Sequence, residues 1–422
     1  MMNGKKKLGI YIHIPYCVRK CLYCDFLSFP VGSDGACKEG RVDNYIKSLT
    51  SQIRMEAEKL ADEFTVNTIF IGGGTPSCIE AEYIGEILKV IKEKFVFESV
   101  KASDGVEDVQ MGTYKLESCD ASSVSSDKLE PEISIEVNPG TVSMDKLVQY
   151  RKYGINRISI GAQSFCDEEL AKLGRIHKAE DVIETFKLAR MAGFTNINID
   201  LMTGIPGQDA MSLKTNLEKA IELGPEHISA YSLIVEEGTP YEKLYPDGAV
   251  DEDTDRNLYE LTGRVLAENG YNRYEISNYA KTGYECRHNL SYWKRADYIG
   301  FGLGAASLIN DTRFSVTRNP DEYAWAGAGK TVSDEINLAG IYRDMEKLSV
   351  DDCMAEEMFL GLRLIDGVNV IRKNQYGIIP MEFYKDVIDK HVREGLLVLE
   401  GEYLKLTSKG LDVANYVMSD FV

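Results

Sequence analysis

Three closely spaced cysteines near the start of the chain have the spacing of an iron–sulfur site. Cys17, Cys21 and Cys24 follow an apolar segment and form the pattern CxxxCxxC. Three thiolates at this spacing can bind three irons of a 4Fe-4S cubane cluster and leave the fourth iron open for chemistry on a small molecule. Zinc is the competing metal, but a structural zinc site needs four protein ligands, and no CxxC or HxxxH pair follows to complete one. The pattern therefore favours an iron–sulfur cluster.

A glycine-rich turn is the second candidate. The segment 67–76 reads as a short apolar strand that ends in Gly72, Gly73 and Gly74, followed by Thr75. Glycine lets the backbone approach a ligand closely and leaves amide and carbonyl groups exposed at the end of the strand. A tight strand-to-helix turn explains an isolated GGG run better than a ligand site does. The glycines alone therefore do not decide between the two.

Polar side chains occur at or near the ends of further apolar segments. Glu136, Gln163 and Asp200 lie in predicted strands, and Arg175 follows one shortly after its end. The carboxyl ends of parallel strands in a barrel form one rim, where ligands bind. Each residue alone could pair with a backbone group or with Arg175, because a buried polar group is costly only without a partner. Four at equivalent positions favour a ligand.

Alternating apolar and amphipathic segments indicate the elements that position these residues. Strictly alternating strands and helices predict an α/β fold with a parallel sheet and helices outside it. Six such units predict a partial (β/α)6 TIM-like barrel. The predicted strands are 8–14, 67–76, 133–139, 157–165, 196–202 and 227–234. The predicted helices are 42–61, 81–94, 144–153, 179–192, 213–223 and 253–269.

We expect three regions along the chain. Residues 1–270 form the core barrel, interrupted at about 96–130 by a polar, serine-rich and acidic insertion to which we assign no function. Residues 271–350 form a β-rich extension that carries the motif HNLSYW. Residues 351–422 have the helices and the two strands around a Glu-Gly turn of an α+β winged-helix-like domain. In an acidic chain this domain is better explained as a structural or partner-docking module than as a DNA-reading regulator.

Composition limits the class of protein. The 422 residues carry a formal net charge of −19, which disfavours nucleic acid as a partner. No apolar run approaches the ~18 residues of a membrane span, and the basic start lacks the cleavage site of a signal peptide. Nine cysteines, three of them clustered, fit a reducing compartment better than a disulfide framework. We therefore expect a cytoplasmic protein.

Six motifs together resemble the oxygen-independent coproporphyrinogen III oxidase family of radical S-adenosylmethionine (radical SAM) proteins. The motifs, in the family's order, are YIHIPYCxxxCxYCDF, GGGTP, IEVNP, GAQSF, DLMTGIPGQ and HNLSYW. The similarity covers essentially the whole chain except the insertion, and within the family it looks most like the branch described as heme chaperones. The resemblance implies a 4Fe-4S cluster whose open iron binds S-adenosylmethionine, and one-electron cleavage of that molecule to a 5′-deoxyadenosyl radical.

The resemblance also assigns residues. It makes Cys17, Cys21 and Cys24 the cluster ligands. It gives S-adenosylmethionine binding to Tyr11, Gly73, Gly74, Thr75, Glu136, Gln163, Arg175 and Asp200. The chemistry agrees, because backbone groups of the glycine turn suit an amino group, carboxylates can accept from ribose hydroxyls or ammonium, and an arginine can neutralise the methionine carboxylate.

His288 in HNLSYW is the candidate heme ligand. An imidazole binds ferric iron well, and Tyr292 and Trp293 could stack on the porphyrin. The alternative is a histidine that fixes a turn beside an aromatic pair in the core. Residue chemistry alone favours that alternative, whereas the resemblance favours heme. Cys286, two residues before the histidine, is a candidate second ligand.

Phe26 separates this chain from the true oxidases, which have a further cysteine at that position. The oxidases' substrate-handling segment before the first strand is missing as well. The resemblance therefore implies a heme chaperone that passes heme to acceptor proteins, uses an electron donor, and reaches membranes only through a partner. A homodimer stays open. The alternative is a radical SAM enzyme that decarboxylates coproporphyrinogen III or performs a related reaction, since the radical site is intact, and whether the chain is an enzyme stays open too.

Overall fold

The computed structural model describes residues 5–30, 41–97, 130–327 and 340–422, so the predicted insertion lies almost entirely outside the described residues. The strands are β1 (Lys6–Ile14), β2 (Tyr16–Cys17), β3 (Phe29–Pro30), β4 (Phe64–Gly73), β5 (Val96–Phe97), β6 (Glu132–Val137), β7 (Arg157–Gln163), β8 (Ile197–Thr203), β9 (His227–Ser232), β10 (Asn272–Arg273), β11 (Asn278–Ala280), β12 (Tyr298–Phe301), β13 (Ala306–Ile309), β14 (Thr312–Val316), β15 (Tyr342–Lys347), β16 (Val368–Asn369), β17 (Leu397–Glu400) and β18 (Tyr403–Leu406).

The helices are α1 (Arg41–Leu60), α2 (Ala81–Lys94), α3 (Met144–Lys152), α4 (Asp167–Lys172), α5 (Ala179–Met191), α6 (Ala210–Leu223), α7 (Pro240–Leu244), α8 (Glu252–Glu268), α9 (Arg287–Trp293), α10 (Pro320–Gly327), α11 (Val350–Gly361), α12 (Pro380–Phe383), α13 (Lys385–Arg393), α14 (Ser408–Asp412) and α15 (Ala414–Ser419). None of these helices, which cover only the described residues, is long and apolar enough to cross a membrane.

Six parallel strands form the centre of the molecule. β1, β4, β6, β7, β8 and β9 are neighbours in the sheet in the same order as in the chain, and at least one helix lies between each consecutive pair. β1 and β9 do not pair with each other, so the sheet is open. This arrangement confirms the predicted α/β fold with a partial (β/α)6 barrel.

The two faces of the sheet differ in chemistry. Leu8, Ile10 and Ile12 on β1 are fully buried in the main apolar core, which the helices share. Successive residues of a strand point to opposite faces, so Tyr11 and His13 lie on the other face. That inner face is rich in polar side chains on the later strands, including Ser134, Glu136, Ser159, Asn198, Asp200 and His227. The candidate site is built on it.

Further strands extend the sheet at both edges. β12 pairs in parallel with β1, and antiparallel β13, β14 and β15 continue from it. At the other edge, β11 pairs antiparallel with β9 and β10 with β11. The predicted extension after residue 270 thus contributes strands to the same sheet. Its HNLSYW motif, however, forms the helix α9.

The last part of the chain has its own small core. Helices α11 to α15 surround the three-stranded sheet β16-β18-β17, and Met358, Leu362, Leu404 and Val417 are among its buried residues. β17 and β18 pair antiparallel around Gly401, as the Glu-Gly turn predicts. These elements match a winged-helix-like domain. The exact boundaries at 270/271 and 350/351 remain predictions.

Candidate cofactor site

The cysteine loop is held against the turn between α4 and α5. The Leu22 amide donates to the Leu173 carbonyl oxygen at 3.2 Å, and Arg19 Nη2 donates to the Gly174 carbonyl oxygen at 2.6 Å. Gly174 has a φ of +73°, and a Cβ on it would lie 2.7 Å from Leu22 Cγ. A side chain at this glycine would therefore push the loop away from the turn.

Two of the three thiols accept hydrogen bonds that oppose the effect of burial on their pKa. Cys17 is buried, and Cys21 and Cys24 are half-buried. Burial raises the pKa of Cys17 and of Cys24, and hydrogen bonds from Thr75 and from the Phe26 amide oppose that rise. Donors of this kind tune thiolates that bind iron.

The donor set beside the rim consists of three thiols on one loop, Cys17, Cys21 and Cys24. A cubane cluster presents a different iron to each thiolate, so its ligands need not converge on one point. The residues present therefore fit a cluster.

A chain of hydrogen bonds connects two of the cysteines through three residues from other parts of the chain. Cys17 Sγ lies 3.4 Å from Thr75 Oγ1, which accepts from Asn138 Nδ2 at 2.7 Å. Asn138 Oδ1 accepts from Arg175 Nη2 at 2.8 Å, and Arg175 Nη1 lies 3.6 Å from Cys21 Sγ. Since Asn138 supplies a proton to the Thr75 oxygen, the Thr75 hydroxyl can donate to Cys17. We call these five residues the thiol ring.

Asn138 is a residue that the sequence interpretation missed. The sequence contains a weak indication of its role, because Asn138 lies two positions after Glu136 and therefore points to the same face of the sheet. Arg175 Nη2 also donates to the Gly161 carbonyl oxygen at 2.6 Å, which fixes the guanidinium further. A ligand carboxylate reaching this point would meet a preoriented cation.

The backbone amides of the glycine turn already donate hydrogen bonds within the protein, which its sequence does not indicate. The Gly73 amide donates to Glu136 Oε2 at 3.2 Å, and the amides of Gly74 and Thr75 donate to the carbonyl oxygens of Ile14 at 2.9 Å and Tyr16 at 2.6 Å. The predicted exposed amides are therefore used inside the protein. An ammonium group is a donor and would need the carbonyl oxygens of the turn instead.

Glycine is required in this turn for steric reasons. Gly73 has a φ of +111°, and a Cβ there would lie 2.6 Å from the His13 ring. A Cβ on Gly74 would lie 2.6 Å from the Tyr16 carbonyl oxygen. The turn thus packs directly on the strand that leads to the cysteines.

Two half-buried carboxyl groups lie on the inner face beside the turn. Burial, and then the charge of Asp200, raise the pKa of Glu136 to about 8. Burial also raises the pKa of Asp200, whose oxygens accept from Asn198 Nδ2 at 2.6 Å and from Ser159 Oγ at 3.2 Å. At neutral pH Glu136 can therefore donate as well as accept a hydrogen bond.

The two remaining predicted residues complete the rim. Gln163 has a φ of 68°, and its Oε1 accepts from the Tyr231 hydroxyl at 2.8 Å. Tyr11 contacts His13 Nδ1 through its hydroxyl at 3.1 Å, and its ring stacks on Phe70. The structure therefore brings all eight residues predicted for S-adenosylmethionine to the rim beside the cysteine loop.

His288 lies elsewhere. It is 1% exposed, and burial lowers its pKa to about 3. Nδ1 hydrogen-bonds with Thr68 Oγ1 at 2.8 Å and Nε2 with the Tyr292 hydroxyl at 2.9 Å. Thr68 precedes Gly72 by four residues of β4, or ~13 Å along the strand. The histidine is thus enclosed below the rim at the middle of β4, and its ring stacks on Phe70 with the centroids 5.3 Å apart.

The side chains of Cys286 and Trp293, close to His288 in the sequence, also have partners within the protein. Cys286 is fully buried, burial raises its pKa to about 12, and its thiol donates to Glu132 at 3.6 Å. The Trp293 ring faces the guanidinium of Arg363, whose Cζ is 4.4 Å from the ring centroid. In this conformation neither side chain is presented to a porphyrin.

Two protein-family models and a solved structure are similar to this chain. The Radical SAM superfamily model matches residues 11–220, and the HemN C-terminal domain model matches residues 348–413. The coproporphyrinogen III oxidase HemN from Escherichia coli has a similar fold, with a TM-score of 0.78 at 21% identity over 99% of this chain and 90% of that one.

Curated relatives are more similar in sequence. Heme chaperone HemW of Bacillus subtilis is 34% identical over 98% of both chains. Heme chaperone HemW of Haemophilus influenzae is 33% identical, again over 98% of both, and that of Escherichia coli K12 is 32% identical over 98% of both. Identity at this level along the full length shows common ancestry. The chain belongs to the heme chaperone HemW family within the radical SAM superfamily.

Proposed function

We propose that this protein is a heme chaperone that binds heme, delivers it to acceptor proteins, and carries a 4Fe-4S cluster and S-adenosylmethionine. The observation that carries the proposal is the full-length similarity to relatives named heme chaperone HemW, at 34% identity over 98% of the chain. The seven described cysteines are all free thiols, which supports a reducing compartment, the cytoplasm.

Cys17, Cys21 and Cys24 would hold the cluster. Bound together, the cluster and S-adenosylmethionine supply one-electron reductive cleavage, which requires a site closed to water and oxygen. The protein's own part is to hold and orient. Thr75 and Arg175 donate towards the thiols of Cys17 and Cys21, and the hydrogen bond from Thr75 opposes the rise that burial causes in the pKa of Cys17.

The rim residues would bind S-adenosylmethionine. Arg175 would neutralise the methionine carboxylate, and the carbonyl oxygens of the glycine turn would receive its ammonium group. Glu136 and Asp200 suit the ribose hydroxyls, since one carboxyl can donate near neutral pH and the other accepts. The remaining rim residues proposed for this ligand are Tyr11, Gly73, Gly74, Thr75 and Gln163.

His288 is the proposed heme ligand within HNLSYW. Because its Nε2 contacts the Tyr292 hydroxyl at 2.9 Å, coordination requires that hydroxyl to leave. A hemin titration tests this ligand. Hemin should bind with a defined stoichiometry, and His288→Ala should change the absorption spectrum of the complex. Tyr292→Phe should tighten binding because it frees Nε2, and an unchanged spectrum in His288→Ala would remove the ligand assignment.

The decisive experiment compares chaperone and oxidase activity. Protein with a reconstituted cluster is given reductant, S-adenosylmethionine and coproporphyrinogen III without oxygen, and protoporphyrinogen and 5′-deoxyadenosine are followed together. In parallel, the hemin-loaded protein is mixed with apomyoglobin. We expect transfer of heme and no protoporphyrinogen. Conversion of the porphyrinogen by a protein that does not transfer heme would reverse the proposal and make Phe26 an unimportant difference.

A further inference from the structure

The buried position of His288 leaves open where heme first meets the protein. A chaperone must take up and release its cargo, so the cargo needs a site that solvent can reach. This inference rests on the proposed function, heme binding. We propose that a tetrapyrrole with free carboxylates binds at the surface of the cysteine loop, on a patch that we call the mouth patch. The patch consists of Val18, Arg19, Lys20, Phe26 and Ile176.

The mouth patch has a large exposed apolar part. Val18, Phe26 and Ile176 are 54%, 67% and 58% exposed. Val18 and Ile176 line one open cavity of about 220 Å³ together with Cys21 and Arg175. Phe26 follows Cys24 closely and its amide faces that thiol. Two exposed apolar side chains at one opening, with a third on the same cysteine loop, are typical of an interaction site rather than of ordinary surface.

The same patch carries positive charge. Arg19 and Lys20 are both exposed. The guanidinium of Arg19 donates to the Gly174 carbonyl oxygen, and the positive charge of Lys20 acts on the Cys24 thiol, where it opposes the rise that burial causes in the pKa of that thiol. Among the described residues of the loop, up to Pro30, Asp25 is the one exposed carboxylate. Asp181 also lines the cavity, but its carboxylate accepts from the Lys178 amide at 2.7 Å at the start of α5. In a chain with a net charge of −19, two exposed cations beside an apolar opening form a local site for an anionic group.

The combination selects the ligand class. A tetrapyrrole such as heme has an apolar macrocycle and two carboxylate side chains on one edge, which match an apolar surface next to two cations. A phosphate or a nucleotide would not need the three apolar side chains, and a neutral apolar peptide would not need the cations. An acidic electron-carrier protein is the other occupant with matching chemistry, and the test separates it.

The test measures hemin affinity in the full chain with its cluster reconstituted. Two variants change the patch: Val18→Asp with Ile176→Asp, and Arg19→Glu with Lys20→Glu. We expect each to weaken hemin binding at least ~10-fold. Met191→Asp and Met211→Asp are matched controls, since these methionines are 74% and 73% exposed on α5 and α6, and should change affinity less than ~2-fold. With hemin dimethyl ester, the charge variant should bind like wild type.

Each outcome has a definite meaning. If wild type binds no hemin, the proposed function fails along with the patch. If wild type binds hemin and both patch variants bind it equally well, the patch is wrong and the proposed function stands. If the patch variants keep their hemin affinity but an acidic electron carrier no longer reduces their cluster, the patch is a protein-docking surface and the proposal is overturned. Iron content and circular dichroism check that each variant is folded and holds its cluster. Phe26→Ser replaces any variant that loses its cluster, and we expect it to weaken hemin binding ~3-fold or more.

Discussion

Asn138 is the side chain on which the thiol ring depends, because it joins Thr75 to Arg175. Asn138→Ala removes both contacts and leaves the Arg175 Nη2 atom with the Gly161 carbonyl oxygen. We expect the affinity of the cluster-loaded protein for S-adenosylmethionine to fall about tenfold, since a hydrogen bond to a charged group contributes about 1.5–3 kcal/mol. Isothermal titration calorimetry under anaerobic conditions measures it.

Asn138→Asp is the control for this prediction. Its carboxylate can still accept from Arg175 but cannot donate to Thr75, so its loss of affinity should be smaller than that of the alanine variant. Equal affinity of Asn138→Ala and wild type would mean that Arg175 is positioned without the ring.

Glu136 should make stability depend on pH. Burial raises its folded-state pKa from 4.5 to about 8, so its contribution is fully present below pH 4.5 and is lost as pH rises through 8. Glu136→Gln has no such titration. Between pH 5 and pH 9 we expect the free energy of unfolding of wild type to fall by about 3 kcal/mol relative to Glu136→Gln, allowing for the partial solvent contact of the carboxyl group.

Urea denaturation of both proteins at several pH values measures this difference. Asp200 titrates in both, so its contribution cancels to first order. If the two stability curves run parallel across this range, Glu136 is ionised throughout and cannot act as a donor at neutral pH.

Motifs at this scale predicted which residues gather at the rim, but not how they are connected. The thiol ring joins residues more than fifty positions apart, such as Cys17 with Thr75, and no local pattern encodes such pairs. The burial of His288 was equally hidden. Its ring contacts Thr68, which lies 220 positions earlier in the chain.

At the scale of elements, periodicity predicted the parallel strands and their order, because each strand has an apolar face that must be buried. Helix α9 differs from what the sequence predicted. HNLSYW sits in a region that reads as β-rich, yet His288 and Tyr292 are four residues apart and contact each other, which is the spacing of a helix. A seven-residue helix offers too short a pattern to be recognised without its tertiary contacts.

Glu132 is one of those contacts. At the start of β6, its carboxylate accepts from the backbone amides of Arg287 and His288, each at 3.1 Å, and so caps α9. Glutamine has one acceptor oxygen and would turn an NH2 group towards a donor. We therefore expect Glu132→Gln to lower the free energy of unfolding by about 1–2 kcal/mol.

Chemical denaturation measures the change, and Glu93→Gln in the exposed Lys89–Glu93 pair is the control, with an expected change below ~0.5 kcal/mol. If Glu132→Gln is as stable as wild type, other contacts hold α9 in place.

At the scale of the whole molecule, a buried arginine connects the sheet extension to the C-terminal elements. Arg295, just after α9, donates through Nε to Glu356 on α11 at 2.8 Å and through Nη1 to Asp311 at 2.8 Å and to the Tyr376 hydroxyl at 3.0 Å. Arg313 also pairs with Glu356 at 2.6 Å. Four segments of the chain therefore meet at one guanidinium.

Removing this guanidinium should loosen the C-terminal elements from the sheet. Arg295→Met leaves the buried Glu356 with Arg313 as its remaining ion pair, and breaking a buried pair from one side costs more than the pair itself is worth. We expect the free energy of unfolding to fall by about 3 kcal/mol. Arg295→Met with Glu356→Gln should recover part of that loss, because no uncompensated charge then stays buried. Lys214→Met, in the exposed Lys214–Glu218 pair, should change stability by less than ~0.5 kcal/mol. A double variant no more stable than Arg295→Met alone would show that Asp311 and Tyr376, rather than Glu356, make the connection.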